Sequence, residues 1–196
     1  MYLSEPEHDA AVEAGYATNR ADAGYLMNYA HAWAWRQDVT DHFFAARKTV
    51  AGQTTLSAGE IAVINAAVAG ARKDTACSLA WGTKLAAQTT PATAAAVLRG
   101  GAEGLSKRER ALAAWSARVA GDPNATSQTD IEGLKAAGLD EREIAEATML
   151  AVFRLAFTAY NGSLGVEPDQ ELVDAAPDEV RRAAGYGADA YSNVAS

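Results

Sequence analysis

Only a few side chains in this sequence combine reactive chemistry with an informative position. The single cysteine, Cys77, follows Asp74 and precedes Trp81 in the segment Asp-Thr-Ala-Cys-Ser-Leu-Ala-Trp, early in an expected helix. A thiol near a helix N-terminus feels the positive end of the macrodipole, which lowers its pKa and favours the thiolate. Cys77 is therefore a candidate peroxide-reactive thiol. The alternative is a small residue buried between alanine-rich helices.

Glu60 is the second candidate, one expected helix upstream of Cys77. A carboxylate held beside a thiol acts as a proton acceptor if burial raises its pKa. The alternative role is local, because Glu60 stands three residues after Ser57 and completes a capping-box pattern. A further possibility is a cofactor-free enzyme that acts on a small acid through Glu60, Asp74 or a tyrosine.

The sequence contains no pattern typical of a metal or nucleotide site. The three histidines, His8, His31 and His42, form no His-x-x-x-His, Glu-x-x-His or Cys/His cluster. Phosphate-binding glycine loops and serine nucleophile elbows are absent as well. We therefore expect no metal and no cofactor. His31 and Trp35 are four residues apart and are predicted to stack on one helix face as part of the core.

Composition narrows the function classes further. The chain has 196 residues, with Lys plus Arg 17 against Asp plus Glu 25, and a formal net charge of −8. An acidic chain of this kind is not expected to bind nucleic acid, which requires clustered basic residues. No signal peptide and no apolar run of membrane-spanning length is visible. A lone cysteine fits a reducing compartment, so we expect a cytoplasmic protein without membrane partners.

The chain pattern predicts helices throughout. Alanine is abundant, β-branched residues rarely cluster, and no hairpin pattern occurs, so we expect about eight to ten helices and no significant sheet. Three expected helix N-termini share one pattern, in which a leucine precedes the capping residue and a glutamate follows it by three positions. The capping residues are Ser57, Ser106 and Asp140. Glycines mark the stops, at Gly70, Gly100-Gly101, Gly121, Gly138 and Gly162. The predicted helices are 8–18, 22–36, 39–51, 57–71, 74–88, 91–99, 106–120, 128–137, 140–161 and 169–184.

We predict a single all-α domain over 1–196, with a subdivision near 121–127. The stretch 144–160 is apolar nearly all round and is predicted to be the central buried helix, with Phe153, Phe157 and Tyr160 in the core. The tail 185–196 is small and polar and is expected to be ordered only against a neighbour.

The order of these features resembles the carboxymuconolactone decarboxylase and alkyl hydroperoxidase D-like superfamily, especially its peroxidase-related branch. The similarity covers roughly residues 20–170, and each of its segments is short. The similar segments are Gly24–Ala32, Leu56–Ala62, Cys77–Gly82, Leu105–Arg110, Ile131–Leu139, Glu141–Ile144 and Gly165–Pro168.

The resemblance implies an alkyl hydroperoxidase D-like helical bundle whose site lies on a helical hairpin, here about 57–88, and which assembles as a homo-oligomer. It implies Glu60 as the proton-relay glutamate and Cys77 as the second cysteine of a Cys-x-x-Cys-x-x-x-His motif. Asp74 then occupies the first cysteine position and Trp81 the histidine position, so the motif is degenerate. Trp81, Asp74 and His31 are expected to line the pocket.

This departure excludes a two-cysteine peroxidase cycle within one chain, and Asp74 beside the thiol is expected to raise its pKa. The resemblance leaves two functions open. The first is a single-cysteine, thiol-dependent hydroperoxide reductase that uses Cys77, a small hydroperoxide and an external thiol reductant. The second is a non-enzymatic oligomeric protein that kept the fold to bind a small molecule or to act as a scaffold.

Overall fold

The protein is all-α, as predicted. A computed structural model describes residues 1–185, and no strand occurs in that range. The tail expected at 185–196 therefore lies outside the described residues, apart from Gly185. Two 3₁₀ turns, at Ala34–Arg36 and Pro123–Ala125, join the helices. The helices are α1 (Ala10–Ala23), α2 (Asn28–Trp33), α3 (Gln37–Gln53), α4 (Ala58–Arg72), α5 (Thr75–Gln88), α6 (Pro91–Leu98), α7 (Lys107–Gly121), α8 (Gln128–Ala136), α9 (Glu141–Ser163), α10 (Gln170–Ala175) and α11 (Asp178–Ala184).

The three helix starts predicted from capping boxes are confirmed. Ser57 caps α4, Ser106 caps α7 and Asp140 caps α9, and each cap exchanges hydrogen bonds with the acid three residues later. These contacts form within one helical turn, so the local sequence is sufficient to specify them.

Three predicted helices have clearly different limits, and the first, expected over 8–18, continues to Ala23. Gly24 adopts a left-handed conformation, with φ 86°, and ends α1, so the helix expected over 22–36 begins only at Asn28. The helix expected over 169–184 divides into α10 and α11 at Ala176. Pro177 explains the division, because proline disfavours a helical conformation in the residue before it.

Helix α4, and not α9, is the central helix of the described fold. Every residue from Ala62 to Gly70 is buried. Helix α4 packs against α5, α6, α7 and α9. The prediction of a central helix over 144–160 is wrong, because Met149 and Val152 of α9 are 51% and 49% exposed and Tyr160 is 37% exposed. Helix α9 is therefore amphipathic.

Gly70 lies within α4, so its prediction as a helix stop is also wrong. A Cβ atom at Gly70 would lie 2.9 Å from the carbonyl carbon of Leu98, at the end of α6. The glycine thus lets the two backbones approach closely. Lys73 ends α4 instead, with φ 53°.

Helices α4 and α5 form a helical hairpin over the range 57–88. Only Lys73 and Asp74 separate them, and Asp74 caps α5 by accepting a hydrogen bond from the Cys77 N–H at 2.8 Å. The cap places Cys77 in the first turn of α5, beside the C-terminal end of α4. Near 121–127 the chain forms a 3₁₀ turn, and the subdivision proposed there stays a prediction.

None of the described helices is long and apolar enough to cross a membrane.

We expect Gly70→Ala to destabilise the protein by about 1–3 kcal/mol, because the added methyl group overlaps backbone atoms that cannot rotate away. Urea titration followed by circular dichroism measures the change in unfolding free energy. The matched control is Gly133→Ala in α8, where no atom lies within 4 Å of the added Cβ. That substitution should stabilise the helix by up to about 1 kcal/mol. Equal effects of the two substitutions would contradict the close approach of α4 and α6.

Candidate functional site

A broad cleft opens beside the turn of the α4–α5 hairpin. Its volume is about 910 Å³, and helices α3, α5 and α9 together with the N-terminal residues contribute to its wall. Cys77 and Trp81 line it from α5, and Arg154 and Phe157 line it from α9. A cleft of this size accommodates a small organic molecule.

Cys77 lies in the wall of this cleft but is only 3% exposed. Its Sγ accepts a hydrogen bond from Nη1 of Arg154 at 3.4 Å. The Asp74 carboxylate, which accepts a hydrogen bond from the Cys77 N–H, is the acidic neighbour of the thiol. The sulfur is therefore held between a permanent cation and a carboxylate, with Ala69 and Phe157 among its apolar neighbours.

The pKa of Cys77 is raised to about 12. Burial is the largest cause, because it disfavours the charged thiolate; the Arg154 charge lowers the pKa and the Asp74 carboxylate raises it. The helix N-terminus was expected to activate the thiol, but burial outweighs that effect. Cys77 is thus a neutral thiol at neutral pH.

Arg154 is the residue that organises the site. It is 6% exposed, and its Nε donates to Oδ1 of Asn65 at 2.9 Å. Its guanidinium carbon lies 5.1 Å from the ring centroid of Trp81 and 4.9 Å from that of Phe157. These contacts bring α4, α5 and α9 together around one charge.

Arg154 and Asn65 were not among the predicted site residues. A signal was present, because Arg154 is the one basic residue in the largely apolar stretch 144–160. Charged residues in such runs are rarely buried unless other groups of the protein hold them. Asn65 carried no such signal, since its partner lies on another helix.

Two of the three residues expected beside the pocket do line it. Trp81 and Asp74 belong to the cleft wall, whereas His31 does not. His31 instead pairs with Glu5 and contacts the Tyr16 hydroxyl at 3.4 Å. It does not stack on Trp35 either: the α-helix ends at Trp33, and Trp35 is 46% exposed.

Glu60 lies away from Cys77. It occupies the first turn of α4, whereas Cys77 packs beside Ala69 near the other end of that helix. At about 1.5 Å of rise per residue, Glu60 and Ala69 are roughly 13 Å apart along the helix. Glu60 therefore has the local alternative role, as the capping-box acid of Ser57, and it does not accept the Cys77 proton in this geometry.

The Glu60 carboxylate also belongs to an ion-pair network that joins three helices. Arg108 of α7 pairs with Glu60 of α4 and with Glu143 of α9, and its Nη2 lies 2.6 Å from Oε1 of Glu143. Both carboxylates are largely buried. The short basic run Lys107-Arg108-x-Arg110 by itself predicts a solvated face, and for Arg108 that prediction is wrong.

Other titratable groups near Cys77 remain as candidates for proton transfer. Asp74 and Tyr29 line the cleft, and burial raises the pKa of both. Within residues 1–185 no group of three His, Cys, Asp or Glu side chains is arranged to hold a metal ion.

Comparison with known proteins identifies the fold. No protein-family model matches the chain, and no curated protein matches it. A solved structure from Ralstonia eutropha JMP134, described as an alkylhydroperoxidase AhpD core and an uncharacterized peroxidase-related protein, is 21% identical, with a TM-score of 0.76 over 87% of this chain and 93% of that chain. An uncharacterized peroxidase-related protein from Silicibacter sp. TM1040 is 19% identical, with the same TM-score and the same coverage of both chains. The expected alkyl hydroperoxidase D-like fold is thereby confirmed.

Because Arg108 binds the ionised form of Glu143, the free energy of unfolding should decrease as this carboxylate is protonated at acid pH. The hydrogen bond from Arg108 is the main cause that lowers the pKa of Glu143 to about 2. A carboxylate with a lowered pKa stabilises the folded state above its unfolded pKa of about 4.3 and loses that contribution as the pH falls towards 2. We expect Glu143→Gln to cost about 2 kcal/mol at neutral pH and to flatten the loss of stability below about pH 4.3.

Urea titrations of both proteins at a series of pH values test this expectation. The matched control is Glu132→Gln, which removes an exposed carboxylate from α8 and should change neither quantity. The network would have no energetic role if Glu143→Gln retained the wild-type acid dependence.

Proposed function

We propose that the protein is a thiol-dependent hydroperoxide reductase that uses Cys77 as its only redox sulfur. The contact between the Cys77 Sγ and Arg154 at the wall of the cleft is the observation that supports this function most directly. A permanent cation at this position stabilises both the thiolate and the alkoxide that leaves the peroxide. The fold shared with proteins described as peroxidase-related adds support.

The proposed reaction needs one hydroperoxide and two external thiols. The Cys77 thiolate attacks the peroxide, the O–O bond breaks, and an S–O bond forms while an alcohol leaves. Sulfur is oxidised to sulfenic acid by the two electrons that reduce the peroxide. One external thiol then displaces water to form a mixed disulfide, and a second releases Cys77 as the thiol while the external disulfide leaves.

Asp74 is the proposed proton carrier, in the role that the resemblance implies for Glu60. It is the carboxylate beside the thiol, and burial raises the pKa of its carboxyl group. A base whose pKa lies nearer the working pH transfers protons more effectively in both directions. Asp74 therefore takes the thiol proton and returns it to the leaving alkoxide.

The raised pKa of Cys77 sets the pH dependence of this reaction. Because the thiolate is a minor species below a pKa of about 12, the rate of sulfenic acid formation should rise about tenfold for each pH unit in the neutral to mildly alkaline range. We expect this rise after mixing the protein with limiting tert-butyl hydroperoxide, trapping sulfenic acid with dimedone and counting adducts by intact-mass spectrometry.

Two variants control this experiment. Cys77→Ser should give no adduct, and Glu60→Gln should leave the rate unchanged because Glu60 lies near the far end of α4. A Glu60→Gln variant that reacts much more slowly than wild type would indicate that Glu60, and not Asp74, transfers the proton. A wild-type protein whose Cys77 stays unmodified at mildly alkaline pH would rule out peroxide reduction.

Burial of Cys77 favours a second candidate function, in which the protein binds a small molecule in the cleft without redox chemistry. A thiol with 3% exposure and a raised pKa is typical of a core residue. Under this alternative Cys77→Ser retains ligand affinity, and hydroperoxide leaves the wild-type thiol intact.

A further inference from the structure

Three cationic side chains converge on the cleft without a carboxylate partner. Arg47 of α3, Lys84 of α5 and Arg154 of α9 all line it. Within residues 1–185 none of the three forms an ion pair, whereas Arg108 binds two carboxylates at once. In a chain with more acidic than basic residues, a group of unpaired cations at one cleft is an arrangement that needs an explanation.

Two of the three carboxyl groups that line the cleft accept hydrogen bonds from backbone N–H groups. Asp74 caps α5, and Asp169 accepts a hydrogen bond from the Asn28 N–H at 2.7 Å. Glu167, the third, is exposed. None of them lies within ion-pair distance of the three cations in the described structure. The positive charge of the cleft is therefore not neutralised locally.

Aromatic rings take the place of the missing carboxylates. The Lys84 Nζ lies 4.5 Å from the centroid of Trp81, and the Arg47 guanidinium carbon lies 5.7 Å from that of Phe44. An aromatic face stabilises a cation but leaves its charge uncancelled. Burial and the nearby charge of Arg154 lower the pKa of Arg47, so the cations also repel one another.

Hydrogen-bonding groups beside these cations also lack partners. A second chamber of about 800 Å³ shares Arg47 and Lys84 with the cleft. Its wall includes Tyr25 and Thr83. The hydroxyl groups of both residues and the Nε of Arg47 are buried and make no hydrogen bond in the described part of the chain. Unsatisfied buried donors are costly, so their grouping beside unpaired cations indicates a binding site for an acceptor.

We propose that this cleft binds a small aromatic carboxylate, whose acid group is held by Arg47, Lys84 and Arg154 and whose ring packs on Trp81 and Phe157. A carboxylate matches the donor geometry of a guanidinium group and neutralises the shared charge. The aromatic walls favour a flat, apolar body over inorganic phosphate. Binding of this ligand requires no oxidation of Cys77, so the site does not need the proposed reaction.

Isothermal titration calorimetry with two isosteric probes tests the inference on the wild-type protein. We expect 2-naphthoate to bind at least about tenfold more tightly than 2-naphthamide, which has the same ring but no charge. Inorganic phosphate should bind more weakly than 2-naphthoate. Equal affinity for the two naphthalene probes, no measurable binding of 2-naphthoate, or equally tight phosphate binding would each overturn the proposed ligand class.

A pair of variants assigns the binding to the cleft. Lys84→Met should weaken 2-naphthoate binding at least about tenfold, whereas Arg99→Met removes an equal charge from an exposed residue outside the cleft and should have no effect. Thermal melts establish that both variants are folded, and Lys84→Gln replaces Lys84→Met if the latter is not. Equal affinities of the Lys84 and Arg99 variants would place binding elsewhere.

The same titration in Cys77→Ser separates this inference from the proposed function. Retained 2-naphthoate affinity in that variant, together with an unreactive wild-type thiol, would support the carboxylate site and reject the reductase. Loss of affinity in Cys77→Ser would show that the thiol itself is needed for binding and would contradict binding by the three cations alone.

Discussion

The positive charge of Arg154 is the constraint on which the site depends. A guanidinium group does not lose its proton at physiological pH, so the protein must supply the stabilisation that water would otherwise give. Asn65 from α4 accepts one hydrogen bond, the Cys77 sulfur from α5 accepts another, and the rings of Trp81 and Phe157 cover the faces of the group. If any of these helices moved away, the Arg154 charge would stay buried but would lose part of its stabilising contacts. The contacts that stabilise the Arg154 charge are therefore the same contacts that hold α4, α5 and α9 together.

The sequence was informative wherever a structural feature is decided within one helical turn. The capping boxes at Ser57, Ser106 and Asp140 follow from residues three positions apart, and all three were predicted correctly. Gly70 shows the limit of such reasoning, because a glycine ends a helix or lets another backbone approach, and only the position of Leu98 decides between them. The central helix was misassigned for a similar reason: α4 is rich in small residues, and its burial depends on the helices around it.

Three of the predicted site residues line the cleft. Cys77, Asp74 and Trp81 are close in sequence on one helix and its cap, so their common position at the cleft follows from the chain itself. Arg47, Asn65 and Arg154 come from three other helices, and no local pattern relates them. Glu60 shows the opposite error, in which a residue was assigned to the site but lies away from it. A positional match along the sequence does not reveal that Glu60 and Cys77 lie at opposite ends of the α4–α5 hairpin. The partner of Glu60 is Arg108, which lies on α7.

Burial raises the pKa of Cys77, whereas the charge of Arg154 lowers it. This opposition connects the proposed reaction with the proposed ligand site. Burial keeps the sulfur neutral, so the field of Arg154 and its neighbouring cations is left without an anion. A bound carboxylate would supply that anion, and its own negative charge would raise the pKa of Cys77 further. By thermodynamic linkage, formation of the thiolate must then weaken carboxylate binding by the same factor. Either a bound carboxylate or the Cys77 thiolate can therefore neutralise the cations of the cleft. Binding of the carboxylate disfavours ionisation of Cys77, and ionisation of Cys77 disfavours binding. A carboxylate that occupies the cleft should consequently slow the oxidation of Cys77, because its negative charge disfavours the thiolate.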